Sequence, residues 1–203
     1  MKYIKLDKKE IFPSKIVCVG RNYVDHIKEL NNEVPSEPII FIKPNSSIAN
    51  EIYSNTNDVI HYEGEISFLV KSGALFAVGF GLDLTKRAIQ ADLKAKGLPW
   101  ERAKSFDNSA VFSEFVSFSG SISDLRMELY INGHLAQKAG YELMLNKPGD
   151  LLIEIKHFLS LEDGDLIMTG TPKGVGPIRP GDIFSGKIFE HERLIVEASW
   201  VVK

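Results

Sequence analysis

The chain has 203 residues, of which 44% are hydrophobic and 25% charged. That composition suits one globular core and excludes a disordered or fibrous protein. Its 24 Lys and Arg stand against 27 Asp and Glu, a net charge of −3, so no broad basic field exists to hold nucleic acid or an acidic membrane face.

A lone cysteine, Cys18, cannot close an internal disulfide, and no signal segment is recognisable at the start, so the expected setting is the cytoplasm. The longest uncharged stretch, Ser72 to Leu82, has 11 residues with three glycines, well short of the ~20 apolar residues of a membrane helix. No repeat or low-complexity linker marks a second domain. A single domain over 1–203 is expected, with residues 1–15 as an N-terminal edge segment.

In chain order, KIVCVG from Lys15 reads as a strand, and NYVDHIKEL places Tyr23, Ile27 and Leu30 at helical spacing. Asn22 is the expected cap, Asp25 suits the first turn, and the helix should stop near Asn31 and Asn32. PIIFIKP, closed by Pro44, and the alternating VIHYEGEISFLV read as strands, the second half-buried. ALFAVGFGLDL is a further strand, and Lys86 to Lys96 a helix ended by Gly97. The second half is mostly β: MELYING with its Asn-Gly turn, DLIMTGTP, IFSGKIF and LIVEASWVV. LLIEIKHFLSL fits strand or helix, and the spacing of Leu152, Ile155, Phe158 and Leu159 favours helix.

Chemistry is concentrated in a few places. A strand through HYEGE puts Glu63 and Glu65 on one face and Tyr62, Ile66 and Phe68 on the other. Two adjacent carboxylates repel, and an oxygen-bound divalent cation relieves that repulsion; a solvated face is the plainer reading. Asp83, at the end of a glycine-spaced strand, is either a third ligand or a helix-start residue. Three acids with no grouped His or Cys suit Mg²⁺ or Mn²⁺ rather than Zn²⁺. His26 and Glu29 share a helix face, so that the carboxylate orients the imidazole as in a general-base pair, or the two form an ordinary surface ion pair. Arg21 can clamp a carboxylate and Lys104 can neutralise developing negative charge, although either can equally sit in solvent. TGTPKGVGPIRP, from Thr169 to Pro180, is an ordered turn; it lacks the spacing of a phosphate loop and either meets a substrate carboxylate or turns a β corner.

Taken together, GRNYVDHIKE, FIKP, HYEGE, GLDLTKRAIQADLKAKGLPWERAKSFD and LEDGDLIMTGTPKGVGPIRPGD resemble the fumarylacetoacetate hydrolase family, in order from Ile16 to Asp182. The likeness is to its acylpyruvase and oxaloacetate decarboxylase branch. It implies an α+β, mostly β fold built on a mixed β-roll with short helices, a homodimer, and a Mg²⁺- or Mn²⁺-dependent enzyme acting on small keto acids. By the same resemblance Glu63, Glu65 and Asp83 are the metal ligands, and His26 and Glu29 activate water from a lid. Lys104 lies by the metal, and Arg21, Arg87, Gln90 and Thr171 contact substrate.

The expected reaction is hydrolysis of acylpyruvates to pyruvate and a carboxylic acid, with decarboxylation of oxaloacetate as a second activity. Isomerisation of a 2-hydroxy-dienoate and a non-catalytic binding module are the alternatives. The chain departs from the family pattern after Gln137, in KAGYELMLNKPGD, and at Glu190 and His191, which stand where a glycine-rich turn is usual.

Overall fold

The computed structural model describes residues 1–30, 33–54 and 58–203. Its main sheet runs, in spatial order, Ile39–Pro44, Lys15–Gly20, Leu166–Met168, Gly64–Lys71, Ala74–Asp83, Ala110–Phe112 and Ile48–Ala49, with Val116–Ser117 also paired to Ala74–Asp83. Lys15–Gly20 pairs parallel to Leu166–Met168, and Ala110–Phe112 parallel to Ile48–Ala49, while the other neighbours are antiparallel. A second, antiparallel sheet has the order His134–Gly140, Leu125–Ile131, Ile183–Glu190, Arg193–Val201. The result is the expected mostly β architecture, a curled mixed sheet with short helices.

The burial pattern shows why these segments pair. Tyr62, Ile66, Phe68, Phe80 and Leu82 face Met127, Leu129, Phe184, Ile188 and Trp200 in one core between the two sheets. Across the main sheet, Ile16, Cys18, Leu69, Ala77, Phe115 and Met168 form a second core. The helix Pro148–Phe158 lays Ile155 on Val17, Val70 and Ile167. Gly186 lets the sheets approach: a Cβ there would stand 2.3 Å from the Phe80 ring.

Several expectations change. The residues before Lys15 form a hairpin, Ile4–Leu6 with Lys9–Ile11, rather than one edge strand; Asp7 and Lys8 turn it with φ of 46° and 69°. VIHYEGEISFLV is two strands, Ile60–Tyr62 and Gly64–Lys71, interrupted at Glu63. The longer piece is buried on both faces rather than half-buried, because both cores close on it.

Asn22 does not cap the helix Val24–Glu29. Its amide instead donates to Thr169 O and Asn146 O at 2.8 and 3.0 Å and its Oδ1 accepts from Asn146 N at 2.7 Å, tying three loops together. The expected helix end at Asn31 and Asn32 lies outside the described residues. The helix Pro148–Phe158 begins earlier and ends sooner than the apolar spacing implies, since Pro148 takes the first turn, where no N–H is needed. His191, with φ 52°, makes the turn between the last two long strands without a glycine, held by its N–H on Asp124 O at 2.9 Å.

Asp165, fully buried, joins the chain's start to the main sheet. It accepts from Ser14 Oγ at 2.7 Å, Ser14 N at 3.1 Å and Glu162 N at 2.9 Å, and pairs with Lys15 Nζ at 2.5 Å. Burial opposes its charge, but these donors and Lys15 hold its pKa below the ordinary value. This stabilisation is present above the unfolded carboxyl's pKa and is lost as pH falls through the lower folded value. Asp165→Ala is expected to cost about 3 kcal/mol by urea unfolding at neutral pH. A cost below about 1 kcal/mol would show the hub to be dispensable.

Candidate active site

Glu63, Glu65 and Asp83 meet because of one irregularity in the hairpin that carries them. Lys71 and Ala74 close it through Ser72 and Gly73, both at positive φ, and Val70 pairs with Leu75. Continued without interruption, that register sets Glu63 opposite Leu82. A bulge between Leu69 and Val70 moves the pairing on by one residue, so that Leu69 meets Ala77 and Gly64 meets Leu82. Asp83 N then donates to Glu63 O at 2.9 Å. Opposed residues of an antiparallel pair share a face, as do residues two apart, and the three acids therefore converge. Each offers an oxygen within 4.8 Å of the others, all are buried, and the solvated-face and helix-start readings both fall away.

The acids sit among buried cations. Lys104 Nζ contacts Asp83 Oδ2 at 2.6 Å, Thr85 Oγ1 at 2.7 Å and Glu63 Oε2 at 2.8 Å. Arg87 donates to the other oxygen of Glu63 and, at 2.8 Å, to Gln90 Oε1. Lys43, with no exposed surface, lies 2.9 Å from Asp83 Oδ1 and donates to the carbonyls of Ser109 at 2.9 Å, Leu84 at 3.3 Å and Lys104.

The consequences differ residue by residue. Burial works against the Glu63 charge, yet Lys104, Arg87 and His26 hold its pKa far below the usual carboxylate range. Among the described residues Glu65 has no cation in contact: burial, then Asp83 and Glu63, push it well above the usual range, and the charge of Lys104 and the Gly170 N–H at 2.7 Å do not reverse that. Burial lowers the Lys43 ammonium in spite of Asp83, whereas at Lys104 the two carboxylates outweigh burial and raise it. A divalent ion bound by oxygen would supply counter-charge at Glu65. Three carboxylates with no nitrogen or sulfur ligand fit Mg²⁺ or Mn²⁺.

His26 projects from the helix Val24–Glu29 with Nδ1 3.0 Å from Glu29 Oε2, the expected orienting contact. Glu29 Oε1 also accepts from Gly174 N at 3.0 Å, and Lys173 pairs with Asp25 at 2.9 Å, so the helix is fastened to the loop after Thr169. Gly174 is required there: φ is 99°, and a Cβ would lie 2.2 Å from Ala136 O.

A narrow cleft opens above Glu63, lined by Arg21, His26, Arg87, Gln90, Lys94 and Lys104 with Phe41 and Trp100. Thr171 does not line it. Its hydroxyl donates to Gly64 O and accepts from Gln137 Nε2, both at 2.9 Å, and Gln137 Oε1 accepts from Gly64 N at 2.9 Å. Thr171 thus pins the loop to the ligand strand. Sequence reasoning passed over Gln137, Lys43 and Lys94. For Lys43 a signal existed, a lysine inside the apolar run IIFIKP, which a buried partner must compensate.

Fold and site define a class of protein: a rolled β-sheet enzyme scaffold with a buried carboxylate cluster that reaches a cleft at Glu63, beside a histidine–glutamate pair. The model of the fumarylacetoacetate (FAA) hydrolase C-terminal family matches residues 15–197, and the chain belongs to that family. It is 38% identical to the mitochondrial oxaloacetate tautomerase oaa1 of Schizosaccharomyces pombe, over 93% of this chain and 95% of that protein. A candidate fumarylacetoacetate isomerase/hydrolase from Oleispira antarctica superposes with a TM-score of 0.94, 38% identity and 100% of both chains covered. Fumarylpyruvate hydrolase from Pseudomonas aeruginosa, solved with Mn²⁺ and pyruvate, gives a TM-score of 0.90 at 25% identity, covering 100% of this chain and 96% of that one. Among the described residues no helix is long and apolar enough to cross a membrane.

Proposed function

We propose that the chain, as one catalytic domain acting as a homodimer with Mg²⁺ or Mn²⁺, catalyses the keto–enol tautomerisation of oxaloacetate, with decarboxylation of the same acid as a side reaction. The observation that carries this reading is the convergence of three buried carboxylates within 4.8 Å, one of which, Glu63, lines a cleft together with His26 and Lys104. Glu63, Glu65 and Asp83 would hold the ion, which when bound polarises a 2-oxo acid through its carboxylate and keto oxygens. His26, held through Nδ1 by Glu29, presents Nε2 to take the C3 proton and return it to the C2 oxygen. The Lys104 ammonium stabilises negative charge developing on that oxygen. The similarity to a named oxaloacetate tautomerase supports the choice of substrate.

A second reading uses the same pair on water. His26 Nε2 would take a proton from water attacking the distal carbonyl of an acylpyruvate, releasing pyruvate and a carboxylic acid; the likeness to a fumarylpyruvate hydrolase favours it. Absorbance of the oxaloacetate enol and product analysis by NMR separate the two. Tautomerisation consumes enol without forming pyruvate, whereas acetylpyruvate hydrolysis gives pyruvate and acetate. In either case His26→Ala is expected to lose roughly 10²–10⁴-fold in rate at unchanged melting temperature. Full activity in that variant, or turnover indifferent to a chelator, overturns both readings.

A further inference from the structure

The cations of the cleft are not all matched. Arg87 and Lys104 share Glu63, and Lys104 also has Asp83. Arg21 and Lys94 line the same cleft, and among the described residues neither has an acidic side chain at ion-pair distance. Arg21 reaches only the Glu33 carbonyl, at 3.4 Å through Nη1, and its Nε is buried with no partner. Its backbone is held at φ 55°, a left-handed conformation that a non-glycine residue keeps only when its surroundings impose it.

Lys94 sits one turn beyond Gln90 on the same helix face, its Nζ 4.8 Å from the centre of the Trp100 ring. That contact fixes the ammonium at the cleft wall without neutralising it. Burial first, then the charges of Arg21, Arg87 and Lys104, bring its pKa down to about 8 in spite of Glu63. Two cations with no acid in contact among the described residues, in a cleft that Glu63 of the carboxylate cluster lines, are a site for an anionic group at the far end of the substrate.

We propose that Lys94, with Arg21, binds the second carboxylate of a dicarboxylic 2-oxo acid, which makes Lys94 a specificity-determining residue selecting dianionic over monoanionic substrates. The inference deepens the proposed function and rests on it for the end of the substrate that meets the carboxylate cluster. A monoanion such as acetylpyruvate leaves the pair uncompensated, whereas oxaloacetate matches it. Lysine suits the role because its point charge accepts a carboxylate from several directions, while Arg21 adds planar donors.

The test is calorimetric binding of two probes that cannot tautomerise to the full chain in the presence of Mn²⁺, with ¹⁹F NMR verifying that the fluorinated probe stays intact. Oxalate has only the chelating end; 3,3-difluorooxaloacetate keeps both ends and has no C3 proton to lose. Lys94→Met is expected to weaken difluorooxaloacetate roughly 10–100-fold, the loss of a charge-assisted contact, and to leave oxalate unchanged. Lys94→Arg should recover most of the loss. Equal weakening of both probes means a structural role and overturns the proposal, as does no change in either or a wild type that binds neither.

Turnover keeps this apart from the reaction assignment. A protein inactive on oxaloacetate whose difluorooxaloacetate affinity still depends on Lys94 sinks the reaction and supports the subsite. An active enzyme in which Lys94→Met changes neither that affinity nor KM for oxaloacetate does the reverse.

Discussion

Asp83→Asn is expected to abolish turnover and to lower the stability of the ion-free protein by about 3–5 kcal/mol, the usual cost of stranding a buried charge. Asn keeps the volume and one carbonyl oxygen but removes the negative charge between two buried ammonium groups. Lys104 retains Glu63 as a partner. Among the described residues Lys43 has no other acid at ion-pair distance: with Asp83 gone, a side chain without exposed surface keeps three backbone carbonyls there. For a chain of this size each kcal/mol moves the melting temperature by about 2–4 °C, so a drop of roughly 6–20 °C is expected in a chelator. A drop under about 2 °C would mean that the carbonyls alone satisfy Lys43, and that the pairing contributes little.

Glu65→Gln is expected to abolish turnover equally but to leave the ion-free protein as stable as the wild type, or more so. In that state Glu65 is the acid the fold accommodates worst, since burial and the charges of Asp83 and Glu63 all oppose its ionisation. Gln removes the charge and keeps an oxygen to accept from Gly170 N. The two substitutions thus predict the same catalytic loss with opposite effects on the apo fold, the pattern of a site that sacrifices stability for ion binding. Added Mn²⁺ should raise the melting temperature of the wild type, through binding to the folded state alone, and that of Glu65→Gln far less. A Glu65→Gln protein that melts well below the wild type in chelator, or that gains as much from Mn²⁺, would count against Glu65 as a ligand.

Much of the site was legible before folding was considered. A period of two placed Glu63 and Glu65 on one face, and helical spacing set His26 beside Glu29 and ended the second helix near Gly97, observed as Arg87–Ala95. These are local facts, settled by backbone geometry over a few residues. The family motifs carried the rest of the expected site, Asp83 as a candidate ligand and Lys104 beside it, because spacing alone left each of them with a plainer reading.

What the order of residues could not decide was register and compensation. The two-residue turn at Ser72 and Gly73 taken alone puts Leu82 across from Glu63 and turns Asp83 to the opposite face. Only the bulge between Leu69 and Val70 shifts the pairing by one and brings Asp83 round. That bulge is a property of two strands packed between two cores, with no signature within either strand. Burial of Lys43 belongs to the same category, since its partners come from Asp83, Leu84, Lys104 and Ser109, 40 or more positions along the chain. So does the engagement of the Thr171 hydroxyl by Gly64 and Gln137, which holds the loop against the strand that carries Glu65. Local periodicity decides which side chains share a face; long-range pairing decides which faces meet, and the chemistry here depends on the second.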